Sequence, residues 1–471
     1  MRIGVPKKNI LDHGGDQRSS LYISIKSHIK ELFQLSLPTI VSRMGILLIV
    51  TADTLMVGNY NSTQLAYQAI GIAVIIPFLL GSLGLIMGTM VISSNAYGAK
   101  RFSECGAAWR RSIKYSLLLG TVGMIFGFFG DEVLILLGQT EDLAKGGGEV
   151  TFIIGLGLPA NVLFLSTMLF LESIKRPIPG MVFMIAANIL NIFLNDYLIH
   201  SGESGEAMGA AGAAWATTVS RFFLCVGLTS YVWWMHDRDR YGVRIKHPSD
   251  VSAWRVQRRI GYASGVSIGI ESSSFAILNI FAGWLGPASL ASYTIAFNMF
   301  AIVFMIATGV GSATSVLVGI AYGRSNNRDI AVAGWLGLAL NSVIMGLFGC
   351  LFFFYSQTLV SFYTNDNEVL SLASPLVAFI AFILAVDGGQ AIMSSALRGC
   401  RDIWVPSLMQ GCSFLIVMVS VAYFFAFFED HGILGLMKGA FVGATLSMIL
   451  HSARFQLLFL RRQLPSQYVV D

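Results

Sequence analysis

The sequence predicts an all-α integral membrane protein of twelve transmembrane helices, built as two six-helix lobes related by pseudo-two-fold symmetry along the membrane normal. Three observations predict it: a composition too apolar for water, a series of apolar runs of spanning length, and short motifs that recur about 225 residues apart.

The 471 residues are 55% hydrophobic and only 12% charged, with a mean hydropathy of +0.69. Soluble domains carry roughly 25% charged residues, so this chain has too little polar surface to face water and needs the bilayer as solvent. A span takes about 20 apolar residues. Twelve spans with short connections use nearly the whole chain and leave no room for a sizeable soluble domain. The Gly-x4-Gly-Lys-Ser/Thr loop of ATP-driven machines is absent, as is any pairing of nucleophile and base, so an enzyme is not expected. The five cysteines (Cys105, Cys225, Cys350, Cys400 and Cys412) have no metal-ligand spacing and read as packing residues. No resident cofactor is expected.

Spans are expected near 33–58, 64–93, 107–129, 150–171, 180–199 and 209–235, then near 260–283, 289–318, 330–355, 370–395, 404–428 and 434–459. The organisation is a polar N-terminal tail (1–32) without the apolar core of a signal peptide, an N-lobe (33–235), an inter-lobe loop (236–259), a C-lobe (260–460) and a C-terminal tail (461–471). With the N-terminus inside, all but four of the 31 basic residues fall on the inward side. The exceptions are Arg43 and Arg221 within spans, and Lys145 and Lys438 outside. The outward loops hold acids such as Asp131, Glu141, Glu203, Glu206, Asp366 and Glu429. Both termini are therefore expected in the cytoplasm, and the net charge of +5 is an orientation signal rather than a sign of nucleic-acid binding.

The repeat is carried by Leu65-Ala66 and Leu290-Ala291, and by Ala96-Tyr97-Gly98 and Ala321-Tyr322-Gly323, both at a shift of 225. Two halves that start on the same side are parallel repeats, with a cavity between lobes that can rock. That arrangement points to secondary transport.

Ionisable groups inside spans face a cavity or a partner. Glu271, in Ile270-Glu271-Ser272-Ser273-Ser274, and Asp387, in Asp387-Gly388-Gly389-Gln390, are the first candidates to bind a cation. Asp53 is the third, and Ser272 and Gln390 are helpers beside the first two. Asp196 lies close to the outer end of its span, where reaching water is as good a reading as a role. Arg43 and Arg221 are expected to neutralise acids, and Glu172, beside Lys175 and Arg176, to be solvated at the inner surface. Gly84-x3-Gly88, Gly319-x3-Gly323 and Gly435-x3-Gly439-x3-Gly443 allow close helix approach.

Several stretches together resemble the multidrug and toxic compound extrusion (MATE) family, in its NorM-like branch. Asp53-Thr54-Leu55-Met56-Val57-Gly58 resembles the first-span motif, and Asn95-x2-Gly98-Ala99-Lys100 the end of the second span. Asn191-Ile192-Phe193-Leu194-Asn195 and the run from Met208 to Thr217 are similar to the fifth and sixth spans, and Leu397-Arg398-Gly399 to the signature after the tenth. The resemblance implies export of small organic cations from the bacterial cell inner membrane, as a monomer, by antiport against H+ or Na+. It implies that Glu271 and Asp387 handle cation and drug, with Na+ near them as one possibility, and that Asp53 serves a proton-coupled scheme. Asn191 and Asn195 are further candidates, and Asn195 stands where the DinF-like branch has an acid. Ile383 replaces a tyrosine expected one turn before Asp387, which leaves the coupling ion open. The alternative is a flippase or exporter of lipid-linked sugars in the same superfamily.

Overall fold

The structure is a computed structural model and describes residues 13–200, 207–245 and 251–460, with side chains described between 26 and 458. The first twelve residues, the C-terminal tail with Arg461 and Arg462, the loop acids Glu203 and Glu206, and Lys246 lie outside the described residues.

Among the described residues there are fifteen helices: α1 (His13–Tyr60), α2 (Ser62–Ile86), α3 (Gly88–Gly98), α4 (Phe102–Gly127), α5 (Gly130–Leu136), α6 (Glu141–Leu156), α7 (Leu158–Ser173), α8 (Ile178–His200), α9 (Gly209–Trp234), α10 (Val251–Trp284), α11 (Pro287–Gly323), α12 (Asn327–Ser361), α13 (Asn367–Gly399), α14 (Trp404–Phe428) and α15 (Gly432–Leu460). Ten helical stretches are long and apolar enough to span, with α2 and α3 forming one of them. Two further spans are broken: α4–α5 bends by 62° and α6–α7 by 46°. With each bent pair taken as one span, the described residues give the expected twelve. The run expected at 150–171 crosses the second of these breaks, because Gly157 ends α6 and Pro159 can only open a helix that starts afresh.

Local chemistry sets the helix starts. The Asn61 side chain accepts from the amides of Thr63 and Gln64 at the head of α2, and Asp366 accepts from Glu368 N at the head of α13. Pro287 follows Gly286, whose φ of 110° suits glycine, and opens α11.

Two boundaries differ from expectation. Helix α1 already runs from His13, within the stretch read as a tail, and Glu31 pairs with Lys175 at 2.7 Å. Polar contacts to the neighbouring helix end extend it beyond the apolar span. The inter-lobe stretch is not a solvated loop throughout. Tyr241 and Val243 are buried, and Arg110 donates to the carbonyls of Gly242 and Val243. From Val251 onward it is helical, with Gln257 donating to Thr89 Oγ1 and the Ala108 carbonyl, both at 3.2 Å.

The repeat is visible in the backbone. Ser62 and Gly98 bound one stretch and Pro287 and Gly323 its copy, at the same shift of 225 residues. Lys100 and Ser325 both adopt positive φ (60° and 54°), as do Lys175 and Arg401 (62° and 61°). The lobes meet where the copies cross: a side chain at Gly98 would strike the Ile320 carbonyl, and one at Gly323 would strike the Asn95 carbonyl. Each contact is the two-fold mate of the other. Asn95 Nδ2 donates to Gly319 O (3.2 Å) and Gly399 O (3.1 Å), and Arg401 Nε donates to Asn95 Oδ1 at 2.6 Å. These contacts lie at the end of the molecule that carries the turns at Lys100 and Ser325. One hydrophobic core crosses between the lobes there, whereas separate cores fill the N-lobe around Val57 and Ile154 and the C-lobe around Phe300 and Leu384.

Candidate functional site

Each lobe holds a polar cluster centred on a buried aspartate, Asp53 or Asp387. In the N-lobe, Asp53 on α1 is buried and accepts hydrogen bonds from Asn191 Nδ2 (3.1 Å) and Asn195 Nδ2 (2.7 Å) on α8, and from the Thr217 hydroxyl on α9. The asparagines are one helical turn apart, so both amides point at the same carboxylate. They are linked by a 3.3 Å bond from Asn195 Nδ2 to Asn191 Oδ1. Arg221, one turn beyond Thr217 on α9, lies within electrostatic reach of Asp53 and donates to the Ile154 carbonyl at 3.3 Å. Three donors and a nearby guanidinium suit a carboxylate anion.

In the C-lobe, Asp387 on α13 is fully buried. Its Oδ1 accepts from Gln390 Nε2 at 3.4 Å, while Oδ2 has no hydrogen-bond partner. Gln390 Oε1 and both polar atoms of the Asn341 side chain on α12 are also buried and unpartnered. Glu271 on α10 accepts from Gln410 Nε2 on α14 at 2.7 Å, and the Gln410 oxygen accepts from the Ser267 hydroxyl. Glu271 and Asp387 sit within electrostatic reach of each other, and Arg398 at the end of α13 within reach of Glu271. A buried polar atom without a partner is costly, and this cluster has four of them, a carboxylate oxygen included, against Asn195 Oδ1 alone in the Asp53 cluster.

A narrow apolar cavity in the same lobe is walled by Phe275, Tyr293, Phe297 and Phe300 with Ile380 and Ile383. Ile383 therefore adds an apolar wall where the family resemblance implied a tyrosine. A tyrosine does reach that cavity, from α11, as Tyr293.

The predicted residues fall into place unevenly. Asp53, Asn191 and Asn195 are brought together, and so are Glu271, Asp387 and Gln390. Asp196 is exposed on the outside of α8, pointing away from Asp53 because its neighbour Asn195 takes the inward face. Ser272 is not the serine tied to this network; Ser267, one turn before Glu271, is. Glu172 is not solvated: it is buried and forms an ion pair with Arg43 at 3.5 Å. Arg43 also donates to Ser312 Oγ on the other lobe at 3.5 Å. Reasoning from sequence missed Thr217, Asn341, Gln410 and, as a site residue, Arg398. The signal for Asn341 and Gln410 was an uncharged amide inside an apolar run. Arg398 counts, in sequence, among the inward basic residues. Among the described residues, no three His, Cys, Asp or Glu side chains group as a metal site.

Two six-helix lobes with carboxylates among their spanning helices are the architecture of a membrane transporter. The sequence profile of the MatE family matches this chain twice, over residues 38–197 and 263–424, once in each lobe. A probable multidrug resistance protein NorM of Caulobacter vibrioides is 33% identical over 444 residues, 94% of each chain. The multidrug resistance protein PmpM of Pseudomonas aeruginosa is 28% identical over 90% of each chain. Among solved structures, the eukaryotic MATE transporter AtDTX14 aligns with a TM-score of 0.84 at 18% identity, covering 92% of this chain and 96% of its own. A MATE family transporter of the MOP superfamily in its outward-facing conformation also gives 0.84, at 20% identity, with coverages of 92% and 97%. The chain belongs to the MATE family, in its NorM-like branch.

Proposed function

We propose that this protein is a multidrug efflux transporter that exports small organic cations by alternating access, in antiport against H+ or Na+. It works as a monomer in the bacterial inner membrane, with both termini in the cytoplasm. The relatives named as multidrug resistance proteins support the efflux reading, and the basic residues gathered at the end where the lobes meet support the orientation.

The observation that carries the proposal is the unfinished C-lobe cluster: two carboxylates, Glu271 and Asp387, lie within electrostatic reach of one another, with an oxygen of Asp387 left without a partner. Two acids in one dry site repel when both are charged. A cation of any kind, whether proton, sodium or drug, relieves that repulsion. Binding of one kind then opposes binding of another, and reciprocity makes the competition mutual. The ring faces of Phe275, Phe297 and Phe300 nearby offer cation–π and apolar contact to a flat lipophilic cation. Lipid-linked sugars carry phosphate, which two carboxylates in the cavity wall would repel, so the acidic cluster weighs against that alternative.

The test is ethidium binding to the purified protein, followed by fluorescence polarisation while H+ and, separately, Na+ are raised. Release of ethidium by one of the two ions, absent in Asp387→Asn, is expected. Binding that neither ion affects would sink the shared-site reading.

A further inference from the structure

We propose that Arg398 is a positioning residue of the transport cycle, which makes closure of the lobe seam depend on the charge carried by Glu271. The inference deepens the proposed function and rests on its reading of Glu271 as a cation-binding group.

Arg398 stands between the cluster and the seam. It follows Asp387 by eleven residues on α13, close to three full turns, so both lie on one face of that helix. Its Nη2 donates to Ser395 Oγ at 2.9 Å, one turn back towards Asp387, and its Nη1 reaches across the seam to Met87 Sδ at 3.2 Å. Met87 belongs to the N-lobe, at the junction of α2 and α3. On either side of it these helices lie directly on α10, because a side chain at Gly84 would strike Gly265 and one at Gly88 the Gln257 carbonyl. Glu271 stands less than two turns beyond Gly265, within electrostatic reach of Arg398. The end of α13 is itself clasped by the other lobe: Asn95 donates to the Gly399 carbonyl and accepts from Arg401. One helix therefore carries Asp387 in its middle and the inter-lobe clasp at its end, with Arg398 next to the clasp.

Solvation then links the cluster to the seam. Arg398 is partly buried, and its Nε is buried with no hydrogen-bond partner. A thioether is a weak acceptor, so Met87 covers the guanidinium without replacing the water it excludes. In the closed arrangement the charge of Glu271 offsets that cost. When a cation neutralises Glu271, the closed state holds the guanidinium with that compensation gone, which is unfavourable. Parting of the lobes lifts Met87 away and returns the guanidinium to water. An empty cluster thus favours the closed seam, and an occupied one shifts the population towards opening at that end.

The experiment is double electron–electron resonance on the purified full chain in a mildly alkaline, sodium-free buffer, with the exposed Cys350 and Cys412 changed to serine. Spin labels at Lys100→Cys and Arg328→Cys, exposed on the two sides of the seam, read its opening. Glu271→Gln should raise the ratio of long to short distances at least about tenfold, because it strands Arg398. Adding Arg398→Met removes the stranded charge, and the double variant should close again to the wild-type distribution. An arginine that only props the fold would not give that rescue. A seam in Glu271→Gln identical to wild type, or a double variant as open as Glu271→Gln, overturns the proposal. If the double variant does not fold, Arg398→Gln takes the place of Arg398→Met, with the same two outcomes. Ethidium added to the wild type should open the seam as Glu271→Gln does. Rescue in the double variant without any effect of ethidium upholds the coupling through Arg398 and contradicts the shared cation site instead.

Discussion

Glu172 and Arg398 occupy the same place in the two repeats and carry opposite charges. Each stands three residues before a left-handed turn residue, Lys175 and Arg401 respectively. Glu172 pairs with Arg43 on the first helix of its lobe, whereas Arg398 lies within electrostatic reach of Glu271 on the first helix of the other. The two repeats thus put opposite charges at one position, paired with Arg43 in the N-lobe and within electrostatic reach of Glu271 in the C-lobe. The reversal places an acid on α10, where it joins Asp387, and a base on α1, where it does not disturb Asp53.

Removing one partner of such a pair strands the other. Arg43→Ala should destabilise the purified protein by about 3–5 kcal/mol, because Glu172 is then charged and alone inside the N-lobe. Glu172→Gln should cost less, since Arg43 keeps its bond to Ser312. Thermal unfolding in detergent reads both, and an Arg43→Ala protein that melts like the wild type would contradict the pairing.

The Asp53 cluster allows shape to be separated from charge. Asp53→Asn keeps size and hydrogen-bonding capacity but removes the charge, and should lower ion-driven export at least about tenfold at unchanged protein level. Asn195→Ala removes one charge-assisted bond, worth about 1.5–3 kcal/mol, and should weaken export while leaving its ion dependence in place. Equal losses in the two variants would make Asp53 a structural residue.

Glu271 and Asp387 should behave as one unit. Glu271→Gln and Asp387→Asn should each abolish most ion-coupled ethidium export, and the double variant should be no worse than either single, because residues sharing one site are not additive. Losses that multiply in the double variant would mean two independent sites.

The lobe seam makes a conformational prediction. Gly323→Ala places a methyl group against the Asn95 carbonyl and should disfavour the closure seen at that end. Spin labels at Ser62→Cys and Ala288→Cys, at the starts of α2 and α11, should then report shorter distances than in the wild-type background. An unchanged distribution would show that the seam does not govern the opposite end.

Much of this was legible in the sequence for a physical reason. Apolar length and basic asymmetry are properties of a span itself, so the span count and the repeat could be read without contacts. Asp53, Glu271 and Asp387 were legible because a charge in an apolar run stands out. Thr217, Asn341 and Gln410 were not, since a neutral polar residue in a span costs little and marks nothing unless its partners are known. Glu172 was misread because Lys175 and Arg176 follow it in sequence; in space the turn at Lys175 sends those bases away, and Arg43 takes their place. The helical start of α10 was hidden because arginines that stack on aromatic rings look, in sequence, like arginines in water.

The central claim is that buried carboxylates couple an entering ion to a departing organic cation. It is tested most directly by ethidium export in inverted vesicles under an imposed proton gradient and, separately, an imposed sodium gradient, with wild type and Asp387→Asn side by side. The account predicts export by the wild type under at least one of the gradients and its loss in Asp387→Asn. Export that persists in Asp387→Asn, or that proceeds in the wild type with neither gradient, would contradict it.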